Sequence, residues 1–272
     1  MPAKFAATLL ASAALFITAP TLAHEGHQHA PATTAAAEPI APEGATPVSQ
    51  LAVVPADAEK FLIVSSAGRH GQSARWRDAS GAWVYRESMN LRGQVFEQDA
   101  RFTNDPEGGL NSVTIRGFTP QGNAAETFAI RDGKAQWRSQ ADQGEANVNG
   151  ATYLTLGGPF LTSADAIERL MAAPGLRLSL YPSGTMQMEQ IATQTLGSGS
   201  SAKTVQLWAI TGLGLSPFPL WLDGNHFFGF VGGIALLPEL SVDREIRLGT
   251  LLLECRRFLE RVLFAEPLEP RW

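Results

Sequence analysis

The sequence predicts a mainly β fold of the α+β class, an antiparallel β-meander that forms a strongly curved sheet or half-barrel. Short apolar runs follow one another from Phe61 to Leu237, with turns rich in glycine, proline or asparagine between them. This spacing is typical of consecutive hairpins rather than of βαβ units. A short segment after Thr162 has helical periodicity and predicts a helix packed on the sheet. A second helical pattern, after Val242, predicts a C-terminal amphipathic helix.

Residues 1–23 have the features of a secretory signal peptide. Lys4 gives a positive start, residues 5–17 form an apolar run, and TAPTLA at 18–23 supplies a proline and a small residue before the cut. The apolar run is too short to span a bilayer. We therefore expect a periplasmic or secreted bacterial protein, without a transmembrane anchor after cleavage behind Ala23.

Residues 24–60 are predicted to be a disordered tether. They contain five prolines and almost no large apolar side chain, so folding them would bury too little surface to offset the lost entropy. His24, His27 and His29 lie in this segment, and His24 would become the new N-terminus. Its amine and the imidazoles could bind copper or zinc. The alternative is a solvated tail, which the sequence favours because the segment offers no rigid geometry.

The β-rich domain is expected to span residues 61–239, and its first part reads as a meander. The predicted strands there are 61–66, 73–77, 82–89, 94–102, 110–117, 124–130 and 134–139. Turn signals lie at 78–81, 104–109 and 131–133. Val113, Ile115 and Phe128 alternate with polar neighbours, which predicts one buried and one wet face.

The second part of this domain combines a helix with further strands. Residues 141–150 are polar and are predicted to be a loop. Thr162 to Asp165 resembles a capping box, and the helix is expected over 166–173, before Pro174. The strands predicted after it are 177–181, 185–191, 204–210, 219–223 and 227–237.

Residues 240–272 are predicted to form a C-terminal helix and tail. Apolar residues recur there at helical spacing: Ile246, Leu248, Leu251, Leu252, Cys255, Leu259, Val262 and Leu263. Docking of this helix on its own domain is favoured over a partner or a membrane surface. Cys255 is the single cysteine, which excludes an intrachain disulfide and a cysteine-based metal cage.

Composition and motifs argue against several functional classes. The net charge of -5 argues against a nucleic-acid partner on electrostatic grounds. The sequence has no P-loop, GxSxG or HExxH motif. Glu97 and Asp99 share one strand face, which we interpret as a solvated face rather than an acid/base pair. No catalytic, cofactor-binding or metal-binding residue is assigned, and no cofactor is expected.

One group of polar residues is a candidate for a site. His70 lies in the glycine-containing polar segment 65–72, where binding residues are common. With Arg92 and Arg116 it could form a polar or anion-binding patch. The alternative, favoured here, is an ordinary surface histidine.

Short motifs in a fixed order resemble the N-terminal extension of secreted amidohydrolases of the imidazolonepropionase-like type. They are SSAGRHGQ at 65–72, SMNLRGQ at 88–94, IRGFTPQG at 115–122, AETF at 125–128, GGP at 157–159, LYPSG at 180–184, AITGLGLSPFPLWLD at 209–223 and FFGFVGGIALLPE at 227–239. The resemblance covers about residues 61–239. The resemblance implies the arrangement of that family, in which a β-rich segment precedes a metal-dependent (β/α)₈ barrel with an HxH pair.

This resemblance suggests a function without catalysis. Only 33 residues follow Glu239, whereas a barrel needs about 250, so we expect a chain truncated before the hydrolase barrel. The expected role is an exported accessory or substrate-positioning domain of an amidohydrolase-like protein, which contacts a hydrolase domain or a small ligand. As it stands the chain is not expected to be an enzyme; extended downstream, it would be a metal-dependent amidohydrolase. The alternative is a periplasmic carrier that holds a hydrophobic ligand in a cavity of the curved sheet.

Overall fold

The computed structural model describes residues 39–65, 67–196, 202–231 and 234–239. Within these ranges the chain forms one sheet of 16 strands and one α-helix, α1 (Ser163–Ala172). The mainly β fold with a packed helix is thus confirmed. The expected signal peptide, the tail histidines His24, His27 and His29, and the predicted C-terminal helix with Cys255 lie outside the described residues.

The strand bounds agree with most of the predicted meander. In chain order the strands are β1 (Glu59–Ser65), β2 (Gly68–Arg77), β3 (Trp83–Leu91), β4 (Gln94–Asn104), β5 (Leu110–Thr119), β6 (Gly122–Asn123), β7 (Glu126–Arg131), β8 (Lys134–Arg138), β9 (Gln143–Asn147), β10 (Thr152–Tyr153), β11 (Arg177–Tyr181), β12 (Thr185–Leu196), β13 (Lys203–Thr211), β14 (Phe218–Asp223), β15 (His226–Val231) and β16 (Ala235–Pro238).

The strands pair almost entirely as neighbours in sequence. Their order across the sheet is β10-β11-β12-β13-β14-β15-β16-β1-β2-β3-β4-β5-β7-β8-β9, with β6 paired to β5. Strand β1 joins the two halves because it pairs with β16 on one side and β2 on the other. The pairs are antiparallel except β10 with β11, and the sheet does not close on itself.

The main core lies on one face of the sheet, which we call the inner face. Alternate side chains of the strands point to this face, and helix α1 packs there against β11, β12 and β15. Ile167 and Leu170 of α1 are buried together with Phe128 of β7 and Ile115 of β5. The intervening Thr114 is exposed, which confirms the predicted alternation on β5.

A second apolar cluster lies on the opposite face of strands β1 and β12 to β16. We call it the outer apolar face, and its members are Leu62, Val64, Leu196, Val205, Leu207, Ala209, Trp221, Phe228, Ala235 and Leu237. Strands β1 and β13 to β16 are therefore apolar on both faces. That explains why their sequences read as nearly continuous apolar runs.

Several predicted boundaries were wrong. The run 227–237 is two strands, β15 and β16, which pair as a hairpin. The sequence between them contains Gly232-Gly233, a turn signal that the prediction of one strand did not use. The expected loop 141–150 contains β9. Thr162 does not cap α1 with its side chain: its Oγ1 donates to the carbonyl of Pro159 at 2.8 Å, since a 3₁₀ turn, Phe160–Thr162, directly precedes the helix.

The end of the predicted tether contacts the sheet. Residues 48–54 lie over β2 and β3 and line a cavity with Ala74 and Arg86. Leu51 is 5% exposed, and the Ala52 N–H donates to Asp99 Oδ2 at 2.7 Å. This segment therefore covers part of the sheet face opposite the main core.

Candidate functional site

A cavity of about 330 Å³ lies where β4, β5 and β7 meet the loop that follows β10. We call it the Gln98–Glu126 pocket. The side chains that line it are mostly uncharged and polar: Gln98, Thr119, Gln121, Asn123, Ser139 and Gln140, with Ala124, Ala125, Ala141, Leu156 and Gly157 between them. Glu126 is the one ionisable residue in this lining. The volume lies at the lower end of the range of small-molecule sites.

Gln98 is the most informative residue of the pocket. It lies on β4 and faces Glu87 of β3 and Gly117 of β5 in the strand register. Its side chain is 1% exposed, and its Nε2 has no hydrogen-bond partner. An unpaired buried amide costs about 1–3 kcal/mol, so a free N–H in this position is a feature that a ligand oxygen would satisfy.

Gly117 is required beside Gln98. Its φ is +108°, and a Cβ there would come within 2.0 Å of the Glu97 carbonyl oxygen. Only glycine adopts this conformation without strain. The sheet therefore brings the backbone of β5 close to β4 and keeps side-chain volume away from the amide of Gln98.

Glu126 fixes the loop that forms the opposite wall. Its Oε1 accepts hydrogen bonds from the Tyr153 hydroxyl at 2.8 Å and the Leu156 N–H at 2.9 Å. Its Oε2 accepts from the Gly157 N–H at 2.9 Å. Burial and the neighbouring carboxylate raise the pKa of Tyr153 well above its usual value. With three donors on its oxygens, Glu126 positions the wall rather than acting as a base.

Glu87 adds a neutral carboxyl group behind Gln98. Its Oε2 accepts the Phe160 N–H at 2.8 Å, and it is 1% exposed. Burial raises the pKa of Glu87 to about 8, because a charge is costly away from water. At neutral pH this carboxyl is therefore mostly protonated, and the pocket has no strong negative charge behind Gln98.

Hydrogen bonds also order the rim of the pocket. Asn123 Nδ2 donates to the Gly44 carbonyl at 2.8 Å, and Asn123 Oδ1 accepts the Ala125 N–H at 3.0 Å. Gln140 Nε2 donates to the Asn123 carbonyl. The rim thus joins the N-terminal segment, β6 and the loop after β8 around one opening.

The sequence suggested His70, Arg92 and Arg116 as one patch, and in the structure they lie on three different elements. His70 lies on β2 and its Nε2 is 2.6 Å from Ser65 Oγ. Arg92 is in the β3–β4 turn with a φ of +54°. Arg116 lies on β5, opposite Asp99 of β4, and forms an ion pair with it. His70 and Arg116 each have a partner of their own, and no hydrogen bond or ion pair recorded among the described residues joins the three side chains.

Glu97 and Asp99 are buried, contrary to the expectation of a solvated strand face. They are 5% and 4% exposed. Glu97 pairs with Arg86 and accepts the Ser88 hydroxyl at 2.6 Å, while Asp99 pairs with Arg116. Each carboxylate has its own arginine, so the two do not form an acid/base pair.

Sequence reasoning missed the Gln98–Glu126 pocket because its residues are distant along the chain. One signal was present: Phe96, Gln98, Ala100 and Phe102 share a face of β4, and Gln98 interrupts that apolar series. A polar residue at an inward position is unusual and indicates either a structural hydrogen bond or a site.

Within the described residues no group of three or more histidine, cysteine or acidic side chains could hold a metal ion. None of the described helices has the length and apolar character needed to cross a membrane. Searches against protein-family models, curated proteins and solved structures found no match.

Proposed function

We propose that this chain is a non-catalytic binding module whose Gln98–Glu126 pocket holds a small, uncharged molecule rich in hydrogen-bonding groups. The observation that carries the proposal is the unpartnered, 1% exposed amide of Gln98 on the pocket wall. A buried N–H without an acceptor is unfavourable in the free protein. A carbonyl or hydroxyl oxygen of a ligand would satisfy it after a small shift of the lining side chains, because the Nε2 atom is itself buried.

The lining supports an uncharged ligand. Lysine and arginine do not occur among the residues around this cavity, so an anionic carboxylate or phosphate would find no counter-charge. A cation would find Glu126, whose oxygens already accept three hydrogen bonds. Amides, lactams and small polyols have the required acceptors without a charge.

Binding rather than catalysis is supported by the state of the possible nucleophile. Ser139 is the serine of the lining. Its Oγ donates to the Asp142 carbonyl and accepts the N–H groups of Ala141 and Asp142. A hydroxyl held by backbone groups has no general base to activate it.

The proposed role in the cell is that of an accessory domain that positions an amide-containing substrate for an amidohydrolase-like domain, outside the cytoplasm. Two arguments support it: the ordered motifs over residues 61–239 that resemble the extension of such hydrolases, and the ligand class that suits the pocket. The carrier alternative has less support. The inner face of the sheet is filled by α1 and by apolar side chains that are at most 8% exposed.

Calorimetric titration with neutral and charged probes tests the proposal. We expect 2-pyrrolidinone or N-acetylglucosamine to bind and acetate or phosphate not to bind. Gln98→Leu should weaken that binding at least about tenfold, the loss of one buried hydrogen bond. Gln136→Leu on the exposed side of β8 is the matched control. Equal affinity in both variants, or preference for the anions, would refute the proposal.

A further inference from the structure

The pocket does not explain the outer apolar face. Its ten members come from β1 and β12 to β16 and are between 0% and 8% exposed. Leu207, Trp221 and Val205 are each 0% exposed. Side chains on one face of a sheet reach such values only when another layer lies on them.

The described elements do not supply that layer. Helix α1 contacts β11, β12 and β15 and belongs to the main core on the inner face. The segment 48–54 lies over β2 and β3, at a different part of the sheet. Within residues 39–65, 67–196, 202–231 and 234–239, no helix or strand packs on the outer apolar face.

We propose that the C-terminal segment 242–266 folds as an amphipathic helix and covers the outer apolar face of its own chain. The described residues end at Glu239, one residue after β16. Strand β16 is itself part of that face through Ala235 and Leu237. The segment therefore starts at the surface that it would cover.

The residue pattern of the segment matches this surface. Leu248, Leu252, Cys255, Leu259 and Val262 recur at intervals of three or four residues, which gives one apolar stripe along a helix. A helix of 25 residues is about 38 Å long. Strands β13 to β16 and β1 together span about 19 Å at their usual spacing, so one helix can cross all five.

Of the other undescribed segments, residues 24–38 contain almost no large apolar side chain, and such a stretch cannot cover an apolar surface. Residues 1–23 are apolar, but they are expected to be removed as a signal peptide. A cavity of about 500 Å³ borders the face beside Phe228, Pro238 and Glu239. It marks an opening at the point where the chain leaves β16 toward residue 240.

The single cysteine allows a direct test in the full chain, because Cys255 lies on the apolar stripe of the segment. We expect its alkylation by iodoacetamide to be at least about tenfold slower in the native protein than in urea. Single cysteines introduced by Val64→Cys, Ala209→Cys and Ala235→Cys lie on the outer apolar face. At least one should form an intrachain disulfide cross-link to Cys255 under mild oxidation, identified by peptide mass spectrometry.

Thr127→Cys is the control, because it lies on the exposed side of β7 and should give no cross-link. Alkylation of native Cys255 at the rate of a free thiol would overturn the proposal. So would cross-links that join only two different chains, which would show a second copy on the face. The alkylation result uses the unmodified chain and stands even if a cysteine variant does not fold.

Discussion

Three polar side chains interrupt the apolar inner face near the pocket: Glu87, Gln98 and Glu126. Glu87 and Glu126 accept backbone N–H groups from the segments after β10. Gln98 lies between them in the strand order and has an unpaired Nε2. Glu87 and Glu126 therefore fix backbone segments, whereas Gln98 has a hydrogen-bond donor that is not used.

The unpaired amide of Gln98 gives a prediction for the free protein. Gln98→Leu keeps a similar shape and removes the buried donor, so it should raise the free energy of unfolding by about 1 kcal/mol or leave it unchanged. Urea unfolding without ligand measures it. A loss of more than about 2 kcal/mol would show that the amide has a structural partner and would weaken the binding proposal.

The carboxyl group of Glu87 makes stability depend on pH. Its pKa rises from 4.5 in the unfolded chain to about 8 in the folded protein through burial, so the folded state holds the proton over that range. The Glu87 contribution is complete below about pH 4.5 and is lost as pH rises toward 8, by about 1.4 kcal/mol per pH unit at most.

Replacement by glutamine isolates this effect. Glu87→Gln should be more stable than the parent at pH 8, and the difference should shrink as pH falls toward 5. Thermal unfolding at several pH values follows it, with Glu107→Gln in an exposed turn as the control. Parallel pH profiles for the parent and Glu87→Gln would contradict the assignment.

Glu126 should be important for stability through its three acceptor bonds. Glu126→Gln replaces one oxygen with an amide nitrogen that cannot accept, so we expect a loss of about 1–3 kcal/mol. For a domain of this size that lowers Tm by roughly 2–12 °C. The exposed Glu145→Gln should have almost no effect, since its ion pair with Lys134 is at the surface.

At the scale of elements, one arginine attaches the helix to the sheet. Arg75 of β2 donates to Glu59 of β1 at 2.6 Å and to Glu168 of α1 at 2.8 Å. Its guanidinium lies 5.2 Å from the ring of Trp83. Burial by itself would lower the pKa of Arg75, but the two carboxylates raise it. The two ion pairs of Arg75 therefore connect β2 to β1 and to α1.

Loss of this arginine should loosen α1 more than the sheet. In Arg75→Ala, amide hydrogens of Ser163–Ala172 should exchange faster, while those of β3 and β4 keep their protection. Hydrogen exchange with mass spectrometry resolves the two regions. Arg101→Ala is a suitable comparison, because this arginine pairs with Asp78 in the β2–β3 turn region instead. Uniformly faster exchange would point to global destabilisation and not to the proposed attachment.

The elements were predictable where local sequence determines them. Turn glycines such as Gly81 and Gly184 have positive φ angles, so the hairpins at these positions could be placed from sequence. The split between β15 and β16 could have been placed in the same way from Gly232-Gly233, a turn signal inside an otherwise apolar run. The pocket could not be predicted, because Gln98 and Glu126 come together only through strand pairing and a loop more than 50 residues downstream of Gln98.

At the scale of the whole molecule, the two halves of the sheet differ in whether both of their faces are buried. Strands β13 to β16 bury both faces, whereas β7 exposes Thr127 and buries Phe128. Leu207→Ala and Leu220→Ala, on opposite faces and each 0% exposed, should therefore cost similar amounts, about 2–5 kcal/mol. Chemical denaturation compares the two variants.

The matching pair on β7 should behave differently. Phe128→Ala should cost about 3–5 kcal/mol, while Thr127→Ala should stay within about 0.5 kcal/mol. If Leu207→Ala were as harmless as Thr127→Ala, the outer apolar face would not be a buried layer of the fold.

The open ends of the sheet limit how this protein can associate. In the described strand order β9 forms one end, and it is short, mostly exposed and contains Glu145 and Gly144. Strand β10, at the other end, has two residues. Short or charged rims resist the addition of a foreign strand. The hydrolase domain proposed above would then bind through side chains, in a contact that can be released without breaking backbone hydrogen bonds.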